Sequence, residues 1–401
     1  MIDKSRIAAM VSMGIPFINL IISRLNYTKL IIVPDITTVE WIESELTHWN
    51  NSDHSILFLP EPETLPFETS YPNFNLAQQY LSTLSTTGRK QNSPITIVTS
   101  IPTLLRKIIN PNIYKANSTT LKLNQEISIK TIVELWQKSG YKRTNIVESL
   151  GYFCTRGGII DIFPTSTKLP IRIELLGNQI ESIRSFDPST QISINPLQSI
   201  IIPPAQEILP HLVSSIINNP EDFSEFKSKN FENYVKSFLS ASILDYLPTS
   251  SLIISLNPSE QMSTGEKTIE RFEESKPAQY SNTIFSWNMI QKQLYKYKKL
   301  INITTTNTSI DNLSLPIYQS PVFSGDINGF IHYVDTKSKA KNQILIHTTS
   351  PNRIKSILKE NLNISLLDND SSKLIINGNS ITILENSNTS SPSGFIIKHV
   401  P

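Results

Sequence analysis

The sequence predicts an α/β protein in which a parallel-sheet unit carries an α+β insert and is followed by a small second α/β unit. Three observations lead there. Strand-like and helix-like runs alternate over residues 1 to 112, the pattern of a parallel sheet with helices on both faces. From 113 to 200 short strands crowd around a single helical run, and 201 to 317 returns to longer apolar segments. After Pro316 the strand and helix alternation resumes on a smaller scale, over 318 to 401.

Each element has its own justification. A helical run is read near 5 to 24; its apolar part, AAMVSMGIPFINLII, resembles the core of a signal peptide, but Pro16 interrupts it and no small-residue cleavage pattern follows. At roughly 15 residues it is also short of the ~20 needed to span a bilayer. LIIVPD, HSILFLP and PITIVTS read as buried strands, separated by helical TTVEWIESELTHW and NLAQQYLSTLS. The insert holds the helix IVELWQKSG and the strand-rich GYFCTRGGIIDIFP and LPIRIELLGNQIESIRSFD. In LSASILDYLPTSSLIISL a helix stops at Pro248 and a buried strand follows, in a position to rejoin the first sheet. The last unit has the strand ILIHTTS and ends on SGFIIKHVP beside or within a strand, after the loop ENSNTSSPSG.

Composition narrows the function classes. At 401 residues, 39% hydrophobic and 17% charged, two to four folded domains are expected. A net charge of +2 gives no field strong enough to imply tight nucleic-acid binding. Cys154 is the single cysteine, which removes disulfides and multi-cysteine metal sites and favours a reducing cytoplasm. The six histidines are scattered without an HExxH pair, so no metal site is expected.

Two glycine-containing turns mark the chemistry. Gly157-Gly158 follows Arg156 at the mouth of the strand IIDIF, where a positive φ or a bulge would turn the arginine out of the sheet. Its planar fork would then be free to grip a carboxylate at two points. Pairing of Arg156 with Asp161 or a neighbouring acid inside the fold is the equal alternative. Downstream, Gly177-Asn178 reads as the two-residue turn of a hairpin. That register sets Leu176 against Gln179, Glu174 against Glu181, and Arg172 against Ile183. Ile171, Ile173, Leu175 and Ile180 then share the core face, while Arg172, Glu174, Leu176, Gln179 and Glu181 share the other. A leucine among charges suits either a docking face or a solvated one, and the pattern leaves both open.

Taken in order, Gly140-Tyr141, GYFCTRGGIIDIFP and RIELLGNQIESIRSFDPSTQ resemble the insert domain shared by the excision-repair helicase UvrB and the transcription-repair coupling factor Mfd. FLPEPETLPFETSYPN and SILDYLP resemble segments of the first module of Mfd. The tyrosine-rich hairpin with which UvrB probes DNA is missing. Where UvrB has a Gly-x-x-x-x-Gly-Lys-Ser/Thr phosphate loop, this chain has SMGIPFINL, in which Pro16 removes an amide and no Lys-Ser/Thr follows.

The resemblance implies a helicase-like module of the P-loop class whose nucleotide site is lost, split over 1 to 112 and 201 to 317, with no catalytic or cofactor residues of its own. It implies that the insert binds the repair ATPase UvrA through Arg156, Arg172 and Leu176, with Glu174 and Glu181 on the same face. Leu176 stands where the family has Phe. RNA polymerase, double-stranded DNA, ATP and magnesium are implied only for domains past Pro401, so an N-terminal fragment is expected. The implied role is recruitment of UvrA to stalled polymerase. The alternatives are a UvrB-like ATPase and an intramolecular module that restrains the translocase.

Overall fold

The computed structural model describes residues 6–8, 25, 27–49, 55–61, 74–87, 94–214, 238–275, 283–304, 313–314, 317–319, 323, 325–340, 344–348, 350–362, 364–366, 373–376, 379–385 and 395–397. The chain forms two compact units, one reaching Leu315 and one from Pro316 onward. Along the first unit come β1 (Arg6–Ala8), β2 (Lys29–Val33), β3 (Ser55–Leu59) and β4 (Ile95–Ser100). Then follow β5 (Thr119–Lys122), β6 (Lys142–Arg143), β7 (Tyr152–Arg156), β8 (Ile159–Ile162), β9 (Ile171–Leu176), β10 (Gln179–Phe186), β11 (Ser193–Pro196) and β12 (Ser199–Ile202). β13 (Leu252–Leu256), β14 (Lys299–Thr304) and β15 (Leu313–Ser314) complete it.

Seven of these strands make one sheet in the order β15-β1-β14-β13-β2-β4-β3, with every pairing parallel. Strands buried on both faces need near-continuous β-branched runs, and KLIIV, ITIVTS and LIISL supply them. Alternation sends Leu30, Ile32, Ile97 and Ile253 to one side, against Leu84 of the helix Phe74–Thr87. Ile31, Val33, Val98 and Ile254 go to the other, against Val39, Ile42 and Leu46 of the helix Ile36–Trp49. β13 does rejoin this sheet, after a short 3-10 turn at Ile243–Tyr246.

At the N-terminus the helical reading needs correction, because Arg6–Ala8 pairs as a strand with both β14 and β15. Pairing in the slot between those two parallel strands satisfies the backbone of a short segment as fully as a helix would. The rest of that run lies outside the described residues, as do SMGIPFINL and the part of ENSNTSSPSG after Glu385.

Lys29 opens the interior strand β2 with no exposed surface. Its ammonium donates to the carbonyls of Leu25 at 2.6 Å and Tyr27 at 2.8 Å. Burial pulls its pKa down to about 8.

The insert is a six-stranded sheet, β11-β10-β9-β8-β7-β6, beside a β5 and β12 ladder. The helix Ile129–Lys138 covers it through Ile132 and Trp136, both buried. Trp136 meets Phe153 edge-on at 5.7 Å, and Ile160, Ile173, Ile180 and Ile183 fill the same core. At the base, Glu207, which follows the insert, gathers three donors from the chain that precedes it. Arg106 donates to it at 2.6 Å, the Tyr80 hydroxyl at 2.9 Å and the Ile109 amide at 3.1 Å. Burial, followed by the Glu207 charge, pushes the Tyr80 phenol well above its ordinary pKa.

In the second unit β16 (Ile317–Gln319) pairs antiparallel with β21 (Phe395–Ile397), so the closing apolar run is a strand. β17 (Ile344–Thr348), β18 (Ile364–Leu366), β19 (Lys373–Ile376) and β20 (Asn379–Glu385) form a sheet ordered β17-β20-β19-β18. The helices Ile327–Lys339 and Pro351–Asn361 add Val334 and Leu358 to the core of Ile381 and Ile383. Among the described residues, no helix is long and apolar enough to cross a membrane.

Candidate docking face

Two hairpins lie side by side in the insert sheet, β7 with β8 and β9 with β10. Gly157-Gly158 is the turn of the first, since Arg156 pairs directly with Ile159. Gly157 takes a φ of +57°. Gly158 is needed for a different reason: a Cβ there would lie 2.8 Å from the Leu175 carbonyl oxygen. That approach lets the Leu175 amide donate to the Gly158 carbonyl at 2.8 Å and stitches the two hairpins together.

The second hairpin turns at Gly177 with φ +60°, and Gln179 opposes Leu176 as expected. Its register then departs from expectation. Ile180 pairs with Leu175 and Ser182 with Glu174, leaving Glu181 as an extra, bulged residue. The other edge of β10 explains the offset. Asn124 donates to the Ile180 carbonyl at 2.9 Å and the Ile180 amide to Gln125 at 2.9 Å, while Ile127 takes the Asn178 carbonyl at 2.7 Å. With the start of β10 held on both edges, the surplus residue is left at 181. Glu174 therefore does not face Glu181. It accepts from the Ser182 hydroxyl at 2.6 Å and pairs with Arg184 at 3.2 Å. Arg172 is opposed by Arg184 instead of Ile183.

Across the outward face one row runs Arg156, Ile159, Glu174, Ser182, and the next Cys154, Asp161, Arg172, Arg184. In the second row the Arg172 guanidinium meets Asp161 along its side edge, Nε to Oδ1 at 2.7 Å and Nη2 to Oδ2 at 2.9 Å. Nη1 donates to the Gln191 carbonyl at 3.1 Å, and the guanidinium lies 4.6 Å from the centre of the Phe186 ring. Hydrogen bonding to Asp161 holds the Arg172 pKa above its ordinary value. The Asp161 carboxylate is 1% exposed and the Arg172 side chain 18%. Cys154, buried beside them, donates to Asp161 at 3.9 Å; its thiol is pushed up by burial and then by that carboxylate.

Asp161 thus takes Arg172, not Arg156. Arg156 is exposed, donates through Nη2 to the Asn145 carbonyl at 2.8 Å, and meets no carboxylate among the described residues. Leu176 stands at the hairpin tip, 72% exposed, and Glu181 is exposed on its bulge. Of the residues singled out from sequence, Arg156, Glu174 and Leu176 stand on one surface with Arg172 set beneath its level, and Asp161, Gly157, Gly158 and Gly177 shape that surface. Sequence reasoning missed Arg184, Gln191 and half-open Ile159. The opposed glutamates it required were themselves a signal, since like charges directly opposite are unfavourable and a bulge removes the clash.

No group of three or more His, Cys, Asp or Glu positioned to hold a metal occurs among the described residues.

An α/β protein with such an insert has counterparts. Residues 119–208 match the model of the UvrB interaction domain, which spans the insert strands and Glu207. Over a longer stretch the chain is similar to transcription-repair-coupling factors. It is 30% identical to that of Myxococcus xanthus over 154 residues, 38% of this chain and 13% of the relative. It is 32% identical to that of Bacillus subtilis (strain 168) over 158 residues, 39% of this chain and 13% of the relative. With that of Haemophilus influenzae the likeness is 25% over 248 residues, 57% of this chain and 21% of the relative. The matched stretch is thus between 13% and 21% of the length of these relatives.

Proposed function

We propose that this chain is a recruitment module of a transcription-repair coupling factor, and that the outward face of its insert docks the excision-repair ATPase UvrA. One observation carries the reading: Arg156, a cation that meets no carboxylate among the described residues, and an exposed leucine, Leu176, stand on a face where Arg172 is paired with Asp161 and Arg184 with Glu174. An exposed guanidinium with four N–H groups uncommitted suits a partner carboxylate, and an apolar residue ringed by charge suits the centre of an interface. The resemblance to coupling factors supplies the partner's identity.

The parallel-sheet unit is read as the helicase-like, nucleotide-free module of that family, non-catalytic in this chain. The role in bringing UvrA to stalled RNA polymerase, in the cytoplasm, belongs to the same proposal, with polymerase, DNA and ATP engaged elsewhere in the relatives. Calorimetric titration of the chain into UvrA tests it. A saturable complex weakened by Arg156→Ala is expected, and wild-type affinity in that variant would place the docking surface elsewhere. Titration with ATP and magnesium is expected to give no saturable heat.

A further inference from the structure

The segment Asp187 to Gln191 does more than return the chain from β10 to β11. The Asp187 carboxylate accepts from the amides of Ser189 and Thr190, both at 2.8 Å, and these bonds hold its pKa below the ordinary carboxylate value. The Gln191 amide closes the turn on the Asp187 carbonyl at 2.8 Å. This leaves Gln191 at φ +61°, a left-handed conformation that glycine or asparagine adopts more readily. A strained backbone held by its surroundings points to a task.

Its contacts show the task. The Gln191 carbonyl accepts from Arg172 Nη1 at 3.1 Å, and its side-chain oxygen accepts from Nη2 at 3.4 Å. The same amide group donates to Pro188 at 2.7 Å and to Val147 at 3.5 Å, which fixes which end faces the arginine. With Asp161 on Nε and Nη2, four of the five N–H groups of Arg172 have partners. Phe186 covers one face of the fork.

We infer that Gln191 and Asp161 are positioning residues that leave Arg172 a single uncommitted N–H, so the docking face reads a carboxylate at Arg156 and one neutral acceptor, such as a main-chain carbonyl, at Arg172. This rests on the docking reading above. The two arginines then differ in kind: Arg156 contributes charge attraction, whereas Arg172, neutralised by Asp161, contributes direction.

The test uses the full chain with UvrA, measuring affinity at several salt concentrations for wild type, Arg156→Ala and Gln191→Gly, with thermal melts of each. Glycine keeps the left-handed turn and the main-chain acceptor while removing the side-chain one. Gln191→Gly is expected to melt like wild type, to bind roughly 3- to 10-fold more weakly, and to keep the salt dependence; Arg156→Ala should flatten it. Wild-type affinity in Gln191→Gly, or a flattened salt dependence there, overturns the inference. The Arg172 Nε proton, followed by NMR without any partner, separates the two ideas. Slow solvent exchange that quickens in Gln191→Gly upholds the positioning even if UvrA fails to bind. Unchanged exchange overturns it even if docking stands.

Discussion

Arg172 and Asp161, on neighbouring strands, close a two-point ion pair whose carboxylate is almost wholly buried. Removing one partner of such a pair strands the other. Arg172→Ala is therefore expected to destabilise the chain by about 3 kcal/mol, against less than ~0.5 kcal/mol for Arg156→Ala, whose side chain is exposed. Urea unfolding of both variants checks the order. Equal midpoints would mean that Asp161 finds other donors.

Leu176→Ala should leave the melting temperature unchanged, since little of its surface is buried in the free chain. UvrA affinity should fall by about 1–2 kcal/mol, the scale of burying an aliphatic side chain. A variant that binds as wild type removes Leu176 from the interface.

Gly158→Ala forces a methyl against the Leu175 carbonyl, a backbone atom that cannot swing aside. Gly157→Ala meets open space and carries only the left-handed backbone strain, about 1–2 kcal/mol. The Gly158 variant is expected to melt lower than the Gly157 variant, and the reverse order in a thermal scan would refute the close approach.

Lys29 titrates near 8 when folded and near ~10.4 when unfolded. Across that window the unfolded chain holds the extra proton, so Lys29 makes stability rise with pH, by an amount on the order of 2 kcal/mol. Denaturant midpoints at pH 7.5 and 9.5 should show this rise in wild type and lose it in Lys29→Met. An identical rise in both assigns it to another group.

The parallel sheet was legible because its strands are apolar on both faces: LIIV and ITIVTS admit few other placements. Arg6–Ala8 was not, because so short a strand depends on the neighbours it joins, one of which lies about 300 residues onward at Asn302. The candidate docking face was half legible. Alternation correctly set Arg172, Glu174 and Leu176 on one side of β9, since that strand is regular. It failed one residue past Ile180 on β10, where the position of the bulge depends on Asn124 to Ile127, a segment distant in sequence. The choice of Asp161 as partner of Arg172 was likewise settled by cross-strand register, which no local window contains.

Thr119 and Ile202 are register partners in the β5 and β12 ladder. The insert therefore leaves its host and returns to it at a single place. A stretch whose ends already touch can be lifted out and the gap sealed with a few residues, or moved into another host, without either structure having to stretch. The chain thus carries the stretch that matches the UvrB interaction domain as a transplantable cassette, a form suited to exchange between otherwise unlike proteins.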